Sequence, residues 1–103
     1  MMKSIIIHQE SVYEIKEAFE WYLRRNPDSA SAFELELDRA VHALRNRPEP
    51  CSLHEYGGGY RQIKNFPYVV IFEIHKDDVG ILAVCHTSRK PGYWSCRKID
   101  YGD

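Results

Sequence analysis

Seven side chains in the C-terminal half of the chain are of the types that handle phosphate and unpaired bases: Arg61, Lys64, His86, Arg89, Lys90, Tyr93 and Trp94. A guanidinium forms two parallel hydrogen bonds to phosphate and keeps its charge. An aromatic ring beside it stacks on an exposed base. Arg61 falls on one predicted strand, and His86 and Arg89 fall at the end of another. Adjacent antiparallel strands bring such positions onto one surface. The competing reading is a charged sheet face with a C-terminal aromatic closing the core.

Other candidates carry less. His8, His42, His54, His75 and His86 are scattered and read singly as solvated or hydrogen-bonded histidines. Glu34, Glu36 and Asp38 read as a solvated helix face. Cys51 and His54 form a short-spaced pair that Cys85, His86 or Cys96 would complete. No second regular pair exists, so neither a zinc site nor any other cofactor is expected. An odd number of cysteines at no framework spacing fits a reducing compartment, and they read as small hydrophobes. Gly57-Gly58-Gly59 lacks the downstream Lys-Ser/Thr of a phosphate-binding loop and reads as a turn. The sequence has no nucleophile elbow, no His-Glu-x-x-His and no dinucleotide fingerprint.

The elements that must position these residues follow from periodicity. Residues 3–8 are β-branched and apolar, and predict a first strand. Val12, Ile15, Phe19, Tyr22 and Leu23 recur at three- and four-residue spacing and predict a helix from Glu10 to Arg25, with Glu14, Glu17 and Glu20 off the apolar stripe. Asn26-Pro27 stops it. A second helix starts near Asp28, capped by Asp28 or Ser29, with Phe33, Leu37, Ala40, Val41 and Leu44 inward and Glu34, Glu36, Asp38 and Arg45 outward. The short connection makes the pair an antiparallel hairpin. Arg47-Pro48-Glu49-Pro50 ends the second helix, and residues 47–59 form a loop. Strands follow at 60–65, 68–75 and 79–86, the last two joined by the polar turn Lys76-Asp77-Asp78. The order is β-α-α-β-β-β, an α+β fold with an antiparallel sheet packed on a helical hairpin.

The chain of 103 residues suits one domain spanning 1–103. A hydrophobic fraction of 44% and a charged fraction of 28% suit an ordinary globular domain. No apolar run is long enough to span a membrane or to act as a signal peptide, so a cytoplasmic location is expected. The net charge of −1 excludes a uniformly basic nucleic-acid binder. The charge is graded, however: residues 1–58 hold 7 Lys/Arg against 10 Asp/Glu, and residues 59–103 hold 7 against 5. An anionic partner would dock on the C-terminal half.

Five stretches carry a family resemblance over roughly residues 10–97. They are Glu17-Ala18-Phe19-Glu20-Trp21-Tyr22; Ala32-Phe33-Glu34-Leu35-Glu36-Leu37-Asp38-Arg39-Ala40; Arg61 ahead of Phe66-Pro67-Tyr68-Val69-Val70-Ile71-Phe72; Val79-Gly80-Ile81-Leu82-Ala83-Val84; and His86-Thr87-Ser88-Arg89-Lys90-Pro91-Gly92-Tyr93-Trp94. In this order and spacing they resemble the RelE/ParE superfamily of toxins from type II toxin–antitoxin modules, especially members described as plasmid-stabilisation proteins. The resemblance implies the fold already read from periodicity. It also implies a growth-inhibiting protein neutralised by a cognate antitoxin, with operator DNA contacted only through the antitoxin.

Within the superfamily, RelE-like members cleave messenger RNA in the ribosomal A site, and ParE-like members bind DNA gyrase. Arg61, Arg89 and Tyr93 fall near positions that RelE-like nucleases use, where the arginines would stabilise a pentavalent phosphate. Tyrosine, with an ordinary pKa near 10, is a poor base unaided. Those nucleases carry an arginine at the start of the strand where this sequence has Pro67-Tyr68. That departure and the near-neutral charge favour ParE-like target binding through Arg61, Lys64, His86, Arg89, Lys90 and Trp94, and so a binding protein rather than an enzyme. The alternatives are a ribosome-dependent endoribonuclease and a non-toxic member acting only as an antitoxin partner.

Overall fold

The computed structural model describes residues 2–46 and 59–102. The elements run β1 (Ser4–Ile7), α1 (Gln9–Arg25), α2 (Pro27–Asn46), β2 (Gly59–Gln62), β3 (Tyr68–His75) and β4 (Asp78–His86). They form the expected α+β arrangement. Most of the predicted loop at 47–59, with Cys51, His54 and two of the three glycines, lies outside the described residues. Among the described residues, no helix is long and apolar enough to cross a membrane.

The sheet order is β1-β4-β3-β2. β2, β3 and β4 make the expected antiparallel meander. β1 adds beside β4 in parallel, with Ser4 opposite Asp78 and Ile7 opposite Ile81, so the sheet is mixed. A parallel neighbour requires a long crossover, and the helical hairpin is that crossover. Lys3 ties this strand to the end of α2: its N–H donates to the Arg45 carbonyl at 3.0 Å, and its carbonyl accepts from Arg45 Nε at 3.2 Å.

His8 caps α1, its ring nitrogen accepting from the Glu10 N–H, so the helix begins one residue earlier than expected. The cap fills one of the donor sites that every helix start leaves open. The inward face of α1 differs from the expected stripe. Ser11 and Ala18 are buried, while Val12 and Leu23 are 52% and 45% exposed. Small residues seven apart let the helix lie close against β4. There the Ser11 hydroxyl donates to the Ile81 carbonyl at 3.3 Å. In α2, Phe33, Leu37, Ala40 and Leu44 are buried as expected. Glu36, expected to face solvent, is buried instead and accepts from Arg39 at 3.2 Å.

Two apolar layers flank the sheet. The helix side joins Phe33, Leu37 and Leu44 to Val70, Phe72, Val79, Ile81 and Val84, with Ile15 and Tyr22 against them. Tyr22, Phe33, Phe66 and Tyr68 form a ring cluster here, with Phe33 and Phe66 edge to face at 5.3 Å. On the other side, Trp94, Tyr93 and Ile99 from the C-terminal segment cover Ile71, Leu82, Ala83 and Cys85. Tyr101 extends this cover. Its ring stacks on His75 at 4.2 Å and its hydroxyl donates to Glu73 at 2.6 Å. Gly80 makes room for it, since a Cβ there would strike the Tyr101 hydroxyl and Ile99.

Candidate functional site

The site forms where β4 outruns its neighbour. β1 pairs with residues 78–81, so from Leu82 onward no strand among the described residues lies beside that edge of β4. A bulge sits at this point: Ile71 faces Ala83 while Phe72 faces Ile81, which leaves Leu82 as the extra residue. An unpaired strand edge must find other partners. Glu14 and Arg97 supply them. The Val84 N–H donates to Glu14 Oε1 at 3.0 Å, and Arg97 Nη1 donates to the Leu82 carbonyl at 2.9 Å.

Glu14 is the centre of the site. Arg97 grips its carboxylate through two hydrogen bonds of 2.9 and 3.2 Å. The Tyr93 hydroxyl donates to it at 2.5 Å. Arg89 approaches within 3.7 Å and lies over the Tyr93 ring at 3.8 Å. Only 12% of the Glu14 side chain is exposed. A carboxylate removed from water to that degree is stable because charged and backbone donors replace its hydration.

The surrounding groups respond in consistent directions. Burial, then the hydrogen bond to Glu14, pushes the Tyr93 phenol well above its ordinary range. Burial, then the Glu14 charge, pushes the Cys85 thiol up to about 11. Burial works against the Arg97 charge, but the hydrogen bond and charge of Glu14 outweigh it and the guanidinium is held more firmly charged.

Beside this hub, a cleft of about 320 Å³ opens between α1 and the end of β4, edged by Glu17, Trp21, Arg24, Tyr68, His86 and Arg89. His86 Nδ1 accepts from the Ser88 N–H at 3.0 Å, so a neutral ring carries its proton on Nε2. The ring stands edge-on to Tyr68 at 5.2 Å.

The structure divides the residues singled out from the sequence. His86, Arg89 and Tyr93 share the β4 edge, with exposed Lys90 nearby in the chain. Trp94 is 7% exposed and belongs to the apolar layer, so its ring closes the core. Arg61 stands opposite Val70, which stands opposite Val84, so two strand spacings, about 10 Å, separate its backbone from β4. Arg61 and Lys64 border a second cleft with Glu36 and Arg39 of α2. Among the described residues, no group of three or more His, Cys, Asp or Glu could hold a metal ion.

Sequence reasoning missed Glu14, Arg97 and the Glu36–Arg39 pair. The small residues Ser11 and Ala18, seven apart, carried the one available signal, because Glu14 falls between them at helical spacing. Nothing local marks Arg97.

A helical hairpin crossing over a mixed four-stranded sheet, with a charged and aromatic strand end, defines the α+β domain. The family model described as the ParE toxin of type II toxin–antitoxin systems, parDE, matches residues 5–91, and the chain belongs to that family. Membership in a toxin–antitoxin family implies an antitoxin partner. Among solved structures, a chain of the "Chromosomal ParDE TA system from P. aeruginosa" has the same fold, with a TM-score of 0.70 at 14% identity, over 82% of this chain and 96% of that one. No curated protein sequence matches.

Proposed function

We propose that the chain is a ParE-type toxin, neutralised by a cognate antitoxin, that inhibits growth by binding a protein target such as DNA gyrase rather than by cutting RNA. One observation carries the choice between the two mechanisms. Arg61, Arg89 and Tyr93 would have to converge on one scissile phosphate to act as a nuclease. Instead Arg61 borders one cleft, and Arg89 borders another two strands away, with Tyr93 bonded to Glu14 in its wall. Tyr93 is also committed to Glu14, with its phenol held protonated, which suits neither a base nor a nucleophile.

The cleft at the β4 edge suits protein recognition. It combines two aromatic faces, Trp21 and Tyr68, with ionic groups of both signs. Aromatic and arginine anchors of this kind dominate protein–protein binding energy. Arg89 is half exposed and held in place by Tyr93, so it is oriented before any partner arrives.

The test is supercoiling by purified gyrase with the protein added. Loss of supercoiling or a trapped cleavage complex is expected, and the Arg89→Ala protein should lack the effect. Inhibition of neither kind, together with A-site cuts in primer extension after induction, would overturn the proposal.

A further inference from the structure

We propose that the cleft between α2 and β2 is a separate docking site for an acidic polypeptide segment. It does not depend on the identity of the toxin's target. The cleft measures about 200 Å³ and is edged by Glu36, Arg39, Ala40, Arg61, Gln62 and Lys64. Its one acidic lining residue is already satisfied: Glu36 is buried and accepts from Arg39, which it holds at the mouth of the cleft. Among the described residues, Arg61 and Lys64 have no ion-pair partner. Most other described arginines are committed. Arg25 and Arg45 bond to backbone carbonyls, and Arg89 and Arg97 face Glu14.

The cations are also held in position. Arg61 stands in strand register with Val70 and Val84, both in the helix-side layer, so its side chain leaves the sheet toward α2. Lys64 sits in a turn fixed by Gln62, whose side-chain amide donates to the Phe66 carbonyl at 2.9 Å, and by Asn65 in a left-handed conformation with φ 69°. Placed arginines bind carboxylate through paired hydrogen bonds and lose little freedom in doing so.

The extent of the charge selects the partner. A nucleic acid presents phosphates in series and calls for a track of cations. Among the described residues the positive charge of this site ends within a single cleft, α2 exposes Glu34 and Asp38 on its other face, and the whole chain carries −1. One or two carboxylates from a protein segment match that footprint.

The test uses the full chain, labelled with nitrogen-15, titrated with hexaglutamate peptide at low salt. Amide shifts should move saturably at Arg39, Arg61, Gln62 and Lys64. The Arg61→Ala/Lys64→Ala protein should bind about tenfold more weakly, and Arg61→Glu/Lys64→Glu should not bind at all. Arg89→Ala should bind as the parent does. The absence of saturable shifts, shifts centred on the β4 edge, or binding insensitive to the double substitution would overturn the site. Tighter binding of an oligothymidylate of equal charge at the same amides would overturn the assignment to an acidic polypeptide.

Discussion

Arg97 holds the Glu14 carboxylate in a two-point grip, 83 residues away along the chain, and so binds the C-terminal segment to the first helix. The same two side chains complete the open edge of β4 by engaging the Val84 N–H and the Leu82 carbonyl. The pair therefore stands in for a strand that β1 is too short to provide. Arg89 and Tyr93 are positioned by the same carboxylate, so the exposed cleft inherits its geometry from a mostly buried ion pair.

Breaking this pair from either side leaves a shielded charge without its partner. Glu14→Gln and Arg97→Ala should each lower unfolding free energy by about 3 kcal/mol, as urea denaturation measures it. The double variant should cost clearly less than the sum. Simple additivity would mean that the two groups act independently.

Arg89 is a different case, because it is half exposed and 3.7 Å from the carboxylate. Arg89→Ala should change stability by about 1 kcal/mol or less. It should nevertheless abolish growth inhibition on expression without an antitoxin. Full toxicity in a folded Arg89→Ala protein would remove the β4 edge from target binding.

Gly80 is required by its neighbour and not by its backbone. Gly80→Ala places a methyl group against Tyr101 and Ile99 and should cost about 2 kcal/mol. Adding Tyr101→Ala removes that obstacle, so the further loss should be smaller than Tyr101→Ala causes alone. Equal losses in both backgrounds would show that the C-terminal cover does not rest on this strand.

The Cys85 thiol sets an alkaline limit. Its pKa rises from the usual 9.0 to about 11 on folding, so between those values the unfolded chain gives up a proton that the folded chain retains. Stability should be level with respect to this group below pH 9, fall from there to about pH 11, and flatten above. Tyr93 and Tyr101, also raised, extend the fall to higher pH. Cys85→Ala should remove the lower part of the slope in denaturation curves taken across that range. A thiol reagent should modify exposed Cys96 quickly and Cys85 only as fast as the protein unfolds.

The sequence by itself determined the two helices, the antiparallel meander, the buried row of Phe33, Leu37, Ala40 and Leu44, and membership in the toxin superfamily. These are local matters: a helix or strand shows its apolar face in the spacing of neighbouring residues, and Asn26-Pro27 marks its own break. Tertiary structure alone decided the parallel docking of β1, the inward turn of Glu14 and Glu36, the closing role of Trp94, and the separation of Arg61 from Arg89. Each depends on which strand lies beside which and in what register, and the extra residue at Leu82 resets that register within β4. A carboxylate can be buried only where donors meet it, and Glu14 meets distant ones. The partner of Glu14 is 83 residues away, so no pattern within either helix or strand could reveal it.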